Sequence, residues 1–218
     1  YLMAQLEPNR GSWGVHLRMT GQFQWHATPA APCSHTRVRF WNQHNEELRF
    51  VDLRSFGEMW WIPEGDDLDS VMTGLKRLGP EPFSDAFTGA YLKQRLKGSA
   101  RPIKTALLDQ SLIAGVGNIY ADESLFAAGI PPLSPSGKLT IEQLIRLRDE
   151  LVNVLHISIG VGGTTFSDFR DLEGVNGNYG GQSWVYRRSG QPCRKCGTPI
   201  SREKLSGRST HWCPSCQR

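Results

Sequence analysis

Four cysteines within the last 28 residues constrain this chain more than any other feature. They form two C-x2-C pairs, Cys193-Arg-Lys-Cys196 and Cys213-Pro-Ser-Cys216, with sixteen residues between them. A C-x2-C knuckle turns two thiolates to one side of a tight bend. Two facing knuckles supply the four soft ligands of a tetrahedral zinc at about 2.3 Å each. The spacing matches the zinc-ribbon pattern of two C-x2-C pairs roughly 15–20 residues apart. Four protein ligands leave no open position, so such a metal is structural rather than catalytic. Two disulfides or a redox C-x-x-C would use the same residues, but two matched pairs at ribbon spacing favour the metal.

The stretch between the knuckles, Ser201 to Trp212, predicts a β-hairpin with Ser206-Gly207 as its turn and Arg208 just past the tip. Residues 182–218 carry eight Lys/Arg and one Glu, a net of +7 in a chain of net +4, so residues 1–181 net −3. A segment too small to bury its own core is thus braced by metal and carries the positive charge. That is the electrostatic footprint of a phosphate binder.

A length of 218 residues suggests two domains. No run approaches the ~18 uninterrupted apolar residues of a membrane span, and no signal peptide is evident. Cys33 is left over without a partner, which suits a reducing cytoplasm. The first residue is Tyr1, inside an apolar strand-like run, which raises the expectation of further sequence before it.

Residues 1–61 read as β-rich. Leu2–Glu7 and Ser12–Met19 flank the turn Pro8-Asn9-Arg10-Gly11, and His35–Asn42 and Glu47–Arg54 flank Gln43-His44-Asn45. Partial alternation in Val38–Trp41 and Leu48–Leu53 suggests a sandwich with one wet face. A short helix around Leu68–Leu78 and a Pro/Gly linker follow. Ser84 is a candidate cap for a helix to about Lys97, and Arg101-Pro102 opens a helix over Ile103–Asp109. Ile119–Ala128 is the next helix, stopped by Gly129 and Pro131-Pro132. Thr140-Ile-Glu-Gln143 is a capping box. It starts a long helix with Ile141, Leu144, Ile145, Leu151, Val152 and Leu155 on one face. Residues 160–181 hold seven glycines in 22 positions, too many for a regular element and too long for a passive connection, so a functional loop is expected.

The helix–turn–helix from Lys104 to Ala128 predicts a nucleic-acid reader. Its turn, Gly115-Val116-Gly117-Asn118, can aim backbone N–H groups outward, and the following helix adds its positive end. Between Ser84 and Gln110 the basic residues Lys93, Arg95, Lys97, Arg101 and Lys104 outnumber Asp85 and Asp109. A glycine turn alone can equally be a tight helix corner; the basic hairpin downstream tips the balance toward phosphate.

In order along the chain stand His16-Leu-Arg-Met-Thr-Gly21, Asp52-Leu-Arg-Ser-Phe-Gly57, Leu78-Gly-Pro-Glu-Pro82, Leu108-Asp-Gln-Ser-Leu-Ile-Ala-Gly-Val-Gly-Asn-Ile-Tyr-Ala-Asp-Glu-Ser-Leu-Phe126 and the four-cysteine hairpin. Together they resemble the formamidopyrimidine-DNA glycosylase family, bacterial base-excision enzymes with AP-lyase activity on oxidised purines. The resemblance covers all 218 residues. It implies an α+β multidomain protein: a partial N-terminal β-sandwich (1–79), a helix–two-turn–helix DNA-binding domain (80–160), a lesion-capping loop (161–181) and a zinc-finger hairpin (182–218). It further implies one structural zinc ion on Cys193, Cys196, Cys213 and Cys216. The implied partner is double-stranded DNA with oxidised bases or abasic sites, bound by a cytoplasmic, nucleoid-associated bacterial monomer with no membrane role.

The resemblance also implies residue roles. Met19, Arg54 and Phe56 match the trio that fills the gap when the lesion is flipped out, a step that must offset the unstacking cost. A flexible Met, a stacking Phe and a planar Arg suit it, although strand-end packing would explain the same residue types. His35, Lys104 and Asn118 match phosphate-contacting positions; Asn118 could equally cap a helix. Arg208 matches the arginine that grips the phosphates flanking the lesion and acts in the late elimination step. Residues from about Thr164 to Gly181 match the segment that closes over an everted purine, where glycines suit a lid.

One departure stands out. The family's nucleophile is an N-terminal proline amine, helped by a Glu and a Lys, and all three would precede Tyr1. A secondary amine can be both nucleophile and iminium. The expectation is therefore a chain that binds DNA weakly or partially and does not excise bases. Rival expectations are the sister glycosylase for oxidised pyrimidines, a non-catalytic zinc-dependent damaged-DNA binder and a zinc-ribbon RNA binder.

Overall fold

The computed structural model describes residues 1–28, 30–165 and 171–218. The chain divides into two compact units, residues 1–76 with 161–180 and residues 77–160 with 181–218.

The first unit is a pair of three-stranded antiparallel sheets. In one, β1 (Leu2–Gln5), β2 (Ser12–His16) and β6 (Glu58–Ile62) lie in the order β1-β2-β6. In the other, β3 (Gly21–His26), β4 (Thr36–Trp41) and β5 (Glu47–Asp52) lie in the order β3-β5-β4. The two expected hairpins form. β3 and β6 are not expected from the sequence, because neither forms a hairpin with a neighbouring strand: β3 pairs with β5 and β6 with β2, far along the chain. Trp13 of β2 packs edge-on against Phe23 and Phe40 of the other sheet, with centroids at 5.5 and 5.1 Å. Such aromatic pairs add about 0.5–1.5 kcal/mol each beyond burial.

The expected wet face differs from the structure. Glu47 and Arg49 alternate as polar positions should, yet they are 0% and 3% exposed. Glu47 accepts from Arg39 and Arg49, and Arg49 Nη2 donates to the Ala30 carbonyl at 2.8 Å. The Arg39 and Arg49 guanidiniums hold the Glu47 carboxyl below the usual range. Self-paired charges under a covering loop let a polar strand face be buried.

Next come α1 (Leu68–Val71) and a single 3-10 turn at Leu75–Arg77. The second unit is built from α2 (Gly89–Leu96), α3 (Ile103–Leu107), α4 (Asn118–Ala127), α5 (Ile141–Gly160) and the hairpin β7 (Ser201–Leu205) and β8 (Arg208–Trp212); the four-residue α6 (Tyr179–Gln182) leads into its C-terminal part. The cap of α2 is Thr88, whose hydroxyl accepts the Tyr91 N–H at 3.0 Å. Ser84, expected in that role, instead bonds the Glu81 carbonyl in the preceding turn. The capping box at Thr140 is reciprocal: Gln143 N–H to Thr140 Oγ1 at 3.2 Å and Thr140 N–H to Gln143 Oε1 at 2.9 Å.

The buried face of α5 is Leu144, Leu147, Leu151 and Val154, while Ile145 is 47% exposed. The stripe therefore sits part of a turn away from the expected one. The first three leucines pack with Phe87, Leu92, Ile103, Leu107, Ile113 and Leu125 into the core of the unit. Truncating one such leucine to alanine costs about 2–5 kcal/mol. A smaller cluster of Phe126, Val185, Cys193, Ile200 and Cys213 seats the hairpin module on α4.

Candidate nucleic-acid interface and metal centre

The four cysteines converge as expected. Their sulfurs all lie within 4.8 Å of one another. Cys193 Sγ and Cys216 Sγ are 3.9 Å apart, and Cys196 Sγ and Cys213 Sγ 3.5 Å. None is disulfide-bonded. A tetrahedron with ~2.3 Å metal–sulfur bonds has edges of about 3.8 Å, so the donor set and its spacing fit a tetrahedral cation. The Cys216 thiol is pushed up to about 12, by burial first and then by the other three thiols. Four clustered thiolates need a cation between them, so ligand deprotonation and metal binding go together. Ser206 and Gly207 both have positive φ, 47° and 82°, the two-residue turn that matches strand twist.

The hairpin is bolted to α4 by two adjacent carboxylates that the sequence reading assigned no role. Glu123, fully buried, accepts the backbone N–H groups of Trp184, Val185 and Tyr186 at 2.8–2.9 Å. Burial pushes its carboxyl above the usual range, and the three N–H groups pull against that. Asp122 accepts the His211 N–H at 3.0 Å and pairs with Lys104 Nζ at 2.7 Å. Phe126 stacks on Trp184 at 5.6 Å. Helix residues three and four apart share a face, so Asp122, Glu123 and Phe126 could have been read as one docking surface.

In this unit the structure brings together three predicted residues, Lys104, Asn118 and Arg208. The amide of Asn118 donates to the Ser209 carbonyl at 3.0 Å, and Lys104 Nζ donates to the same carbonyl at 2.7 Å. Arg208 is exposed beside them. Lys104, expected as a phosphate contact, is 1% exposed, and three oxygens from Asp122, Ser209 and Thr210 surround its ammonium within 3.0 Å. Burial lowers its pKa and Asp122 pulls it back. Asn118 is the first residue of α4 and Gly117 takes the cap position, so the N-cap alternative for Asn118 does not hold.

The glycine turn is laced by Gln110, which accepts the Gly115 N–H at 2.8 Å and donates to the Val116 carbonyl at 3.0 Å. Gly115 needs its positive φ of 76°. Gly117 is extended at φ −105°, and a Cβ there would meet nothing within 4 Å. Its bareness leaves the backbone at the positive end of a ten-residue helix open to an approaching anion.

The other predicted residues gather in the first unit, around Asp52. Its carboxylate accepts from the Thr20 hydroxyl at 2.5 Å and from the Gly57 N–H at 2.7 Å and the Arg54 N–H at 3.2 Å. The Asp52 N–H donates to the His35 carbonyl at 3.0 Å. Burial pushes this carboxyl up, but Thr20, Gly57 and Arg54 outweigh it and hold it below the usual range. Met19, Arg54, Phe56 and His35 thus lie on segments tied to one residue. Phe56 and Met19 are 54% and 65% exposed, and the Arg54 guanidinium lies 5.0 Å over the Phe56 ring. Apolar side chains held that far into solvent are not core packing. Of the expected capping loop, residues 166–170 lie outside the described residues. Of its described part, Thr164 bridges Asn178, and the Leu172 carbonyl accepts the Trp25 N–H at 2.9 Å.

A four-cysteine hairpin docked on a helix–turn–helix, in a chain that also carries a two-sheet unit, defines a zinc-finger-like module beside a helical nucleic-acid-binding motif, and comparison with known proteins makes it specific. The family models described as formamidopyrimidine-DNA glycosylase N-terminal domain, formamidopyrimidine-DNA glycosylase H2TH domain, and zinc finger found in FPG and IleRS match residues 1–59, 78–170 and 190–218. Formamidopyrimidine-DNA glycosylase of Parasynechococcus marenigrum is 75% identical over 217 residues, covering 100% of this chain and 78% of the relative. That of a Synechococcus strain is 64% identical over 222 residues, covering 100% and 78%. Among solved structures, the MutM (Fpg) protein of Thermus thermophilus superposes with TM-score 0.84 at 42% identity, over 96% of this chain and 77% of that one. Lactococcus lactis Fpg in complex with abasic-site DNA gives 0.84 at 31%, over 95% and 75%. The chain belongs to the formamidopyrimidine-DNA glycosylase family, DNA glycosylases of base-excision repair. The expectation of a chain reduced to DNA binding finds no support in these comparisons, and the chain spans 78% of the Parasynechococcus relative's length. Among the described residues no helix is long and apolar enough to cross a membrane.

Proposed function

We propose that the protein is a bifunctional glycosylase and AP lyase that removes oxidised purines from duplex DNA in the bacterial cytoplasm, acting as a monomer with one structural zinc. One observation carries this reading: the Asn118 amide donates to the Ser209 carbonyl, next in the chain to the exposed Arg208 and beside the open glycine turn that starts α4. That grouping offers a backbone anion site, an amide and a guanidinium to adjacent phosphates. Zinc supplies no chemistry on the base. It would hold the thiolates of Cys193, Cys196, Cys213 and Cys216 and so brace the hairpin that carries Arg208. Arg208 would also stabilise phosphate charge during elimination of the sugar fragment. His35 adds a phosphate contact on the sandwich side.

Eversion of the damaged nucleotide costs a few kcal/mol of lost stacking. Met19, Arg54 and Phe56 would occupy the vacated space, Phe56 by stacking and Arg54 by hydrogen bonding to the orphaned base. The glycine-rich segment from Thr164 to Gly181 would cover the everted purine.

The test compares matched duplexes carrying 8-oxoguanine, thymine glycol or no lesion. Excision of the purine with strand cleavage is expected of the protein that carries the family's proline amine, the group that would form a borohydride-trapped adduct. Preferential cleavage of the thymine glycol duplex would favour the pyrimidine enzyme. Equal binding to damaged and undamaged duplex would refute a damage-specific role.

A further inference from the structure

Asp122 is buried in the second unit, and each of its carboxylate oxygens holds a different element. Oδ1 lies 2.7 Å from the Lys104 ammonium on α3. Oδ2 accepts the His211 N–H of β8 at 3.0 Å and lies 3.3 Å from His211 Nδ1. Lys104 completes the clamp by donating to the Ser209 carbonyl at 2.7 Å and the Thr210 hydroxyl at 3.0 Å. Three consecutive residues of β8 are therefore gripped by one ion pair. Both partners are buried, and neither belongs to the four-cysteine cluster.

A buried ion pair is a poor way to add stability, because a packed apolar pair of similar volume does as well or better. What it does well is hold one geometry. β8 has five residues, Arg208 to Trp212, and the metal ligand Cys213 follows its far end. The four-sulfur site restrains that end. At the near end stands Arg208, whose own carbonyl neighbour, that of Ser209, is the shared acceptor of Lys104 and Asn118. Alternation along a strand puts Arg208 and Thr210 on one face, the face that meets Lys104. The Arg208 charge acts on Lys104 and lowers its pKa. Without Asp122 the two cations would repel one another across that face.

We propose that the Lys104–Asp122 ion pair is a metal-independent anchor that positions Arg208, fixing Ser209–His211 against α3 and α4 and cancelling the lysine charge so that the exposed guanidinium is presented to a DNA phosphate. Lys104 and Asp122 are positioning residues in this scheme, and the hairpin has two anchors, thiolates at one end of β8 and the ion pair at the other. The inference rests on the reading of Arg208 as a phosphate contact.

A double-mutant cycle on the zinc-loaded protein tests it, with affinity for a duplex carrying a tetrahydrofuran abasic analogue measured by anisotropy at fixed salt, and zinc content measured on every variant. Arg208→Ala and Asp122→Asn are each expected to weaken binding by about tenfold, on the scale of a lost charge-assisted contact, with zinc content unchanged. The double variant is expected to bind as Arg208→Ala alone, because the anchor has nothing left to position. Loosening of the fold in general would instead give additive losses, and additivity overturns the proposal. So does an Asp122→Asn protein that binds as the parent while Arg208→Ala does not. An Arg208→Ala protein that binds as the parent overturns the phosphate reading of Arg208, and the inference with it. Thr210→Val keeps both charges and removes one acceptor of the lysine. Should Asp122→Asn fail to fold, the same cycle is run with Thr210→Val, and the same two outcomes decide.

Discussion

The Thr20 hydroxyl and the Asp52 carboxylate, 32 residues apart in sequence, share a hydrogen bond of 2.5 Å that ties the turn after β2 to the turn after β5. The Arg54 N–H reaches both partners, at 3.0 Å to Thr20 Oγ1 and 3.2 Å to Asp52 Oδ1. Met19 and Phe56 ride on these two turns. Side chains acting as the proposed wedge need a backbone that does not yield, and this pair would supply the stiffness.

Asp52→Ala is accordingly expected to weaken binding to an abasic-analogue duplex by about tenfold. It removes a buried acceptor from three donors and should destabilise the fold by about 1–3 kcal/mol. Anisotropy and thermal unfolding measured on the same variant separate the two effects, and Thr20→Val should reproduce a weaker form of both.

Phe56→Ala should behave differently. The ring is 54% exposed, so stability is expected to change by no more than about 0.5 kcal/mol. Loss of a base-stacking aromatic costs about 1–3 kcal/mol, and that loss should fall on damaged duplex and spare undamaged duplex. Unchanged discrimination between the two would remove Phe56 from the wedge.

Cys213→Ser breaks the four-thiolate set, and metal content should fall from one zinc per chain toward none. Binding to damaged duplex should weaken with it. The long helix α5 packs through Leu144, Leu147 and Leu151 into a core that includes none of the cysteines. Far-UV circular dichroism should therefore keep most of its helical signal. DNA binding that survived metal removal intact would contradict the role given to the hairpin.

Asp109 braces the turn before Ser111. It accepts the Ser111 hydroxyl at 2.7 Å and N–H at 3.0 Å through Oδ1, and Arg101 at 2.8 Å through Oδ2. Ser111 first and Arg101 second hold its carboxyl down to about 2. A depressed folded-state pKa contributes stability that is present above the ordinary carboxylate pKa and is lost as pH falls toward 2. The contribution is roughly 1–2 kcal/mol after discounting for partial exposure. Denaturant titrations between pH 5 and pH 2 should show a shallower acid loss for Asp109→Asn than for the parent.

Much of this architecture was legible before any coordinates. The cysteine spacing, the Ser206-Gly207 turn and the reciprocal Thr140–Gln143 box are local patterns, set by residues a few positions apart, and each forms as expected. Strands β3 and β6 escape a sequence reading because their partners, β5 and β2, lie far along the chain, so no local hairpin signal marks them. Glu47 and Arg49 read as a wet face because alternation reports polarity, and polarity says nothing about a partner that neutralises the charge under a covering loop.

The functional residues divide along the same line. The sequence by itself determined which side chains are present in family-matching positions and that four thiols would converge, since those depend on residue type and short spacing. Only the tertiary structure decided what each does there. It turned Lys104 from an apparent phosphate contact into one half of a buried ion pair, and it made Asp52, Asp122 and Glu123 the fasteners of the exposed groups. A carboxylate's role depends on which donors a fold brings within 3 Å of it, and those donors lie here up to 89 residues away along the chain.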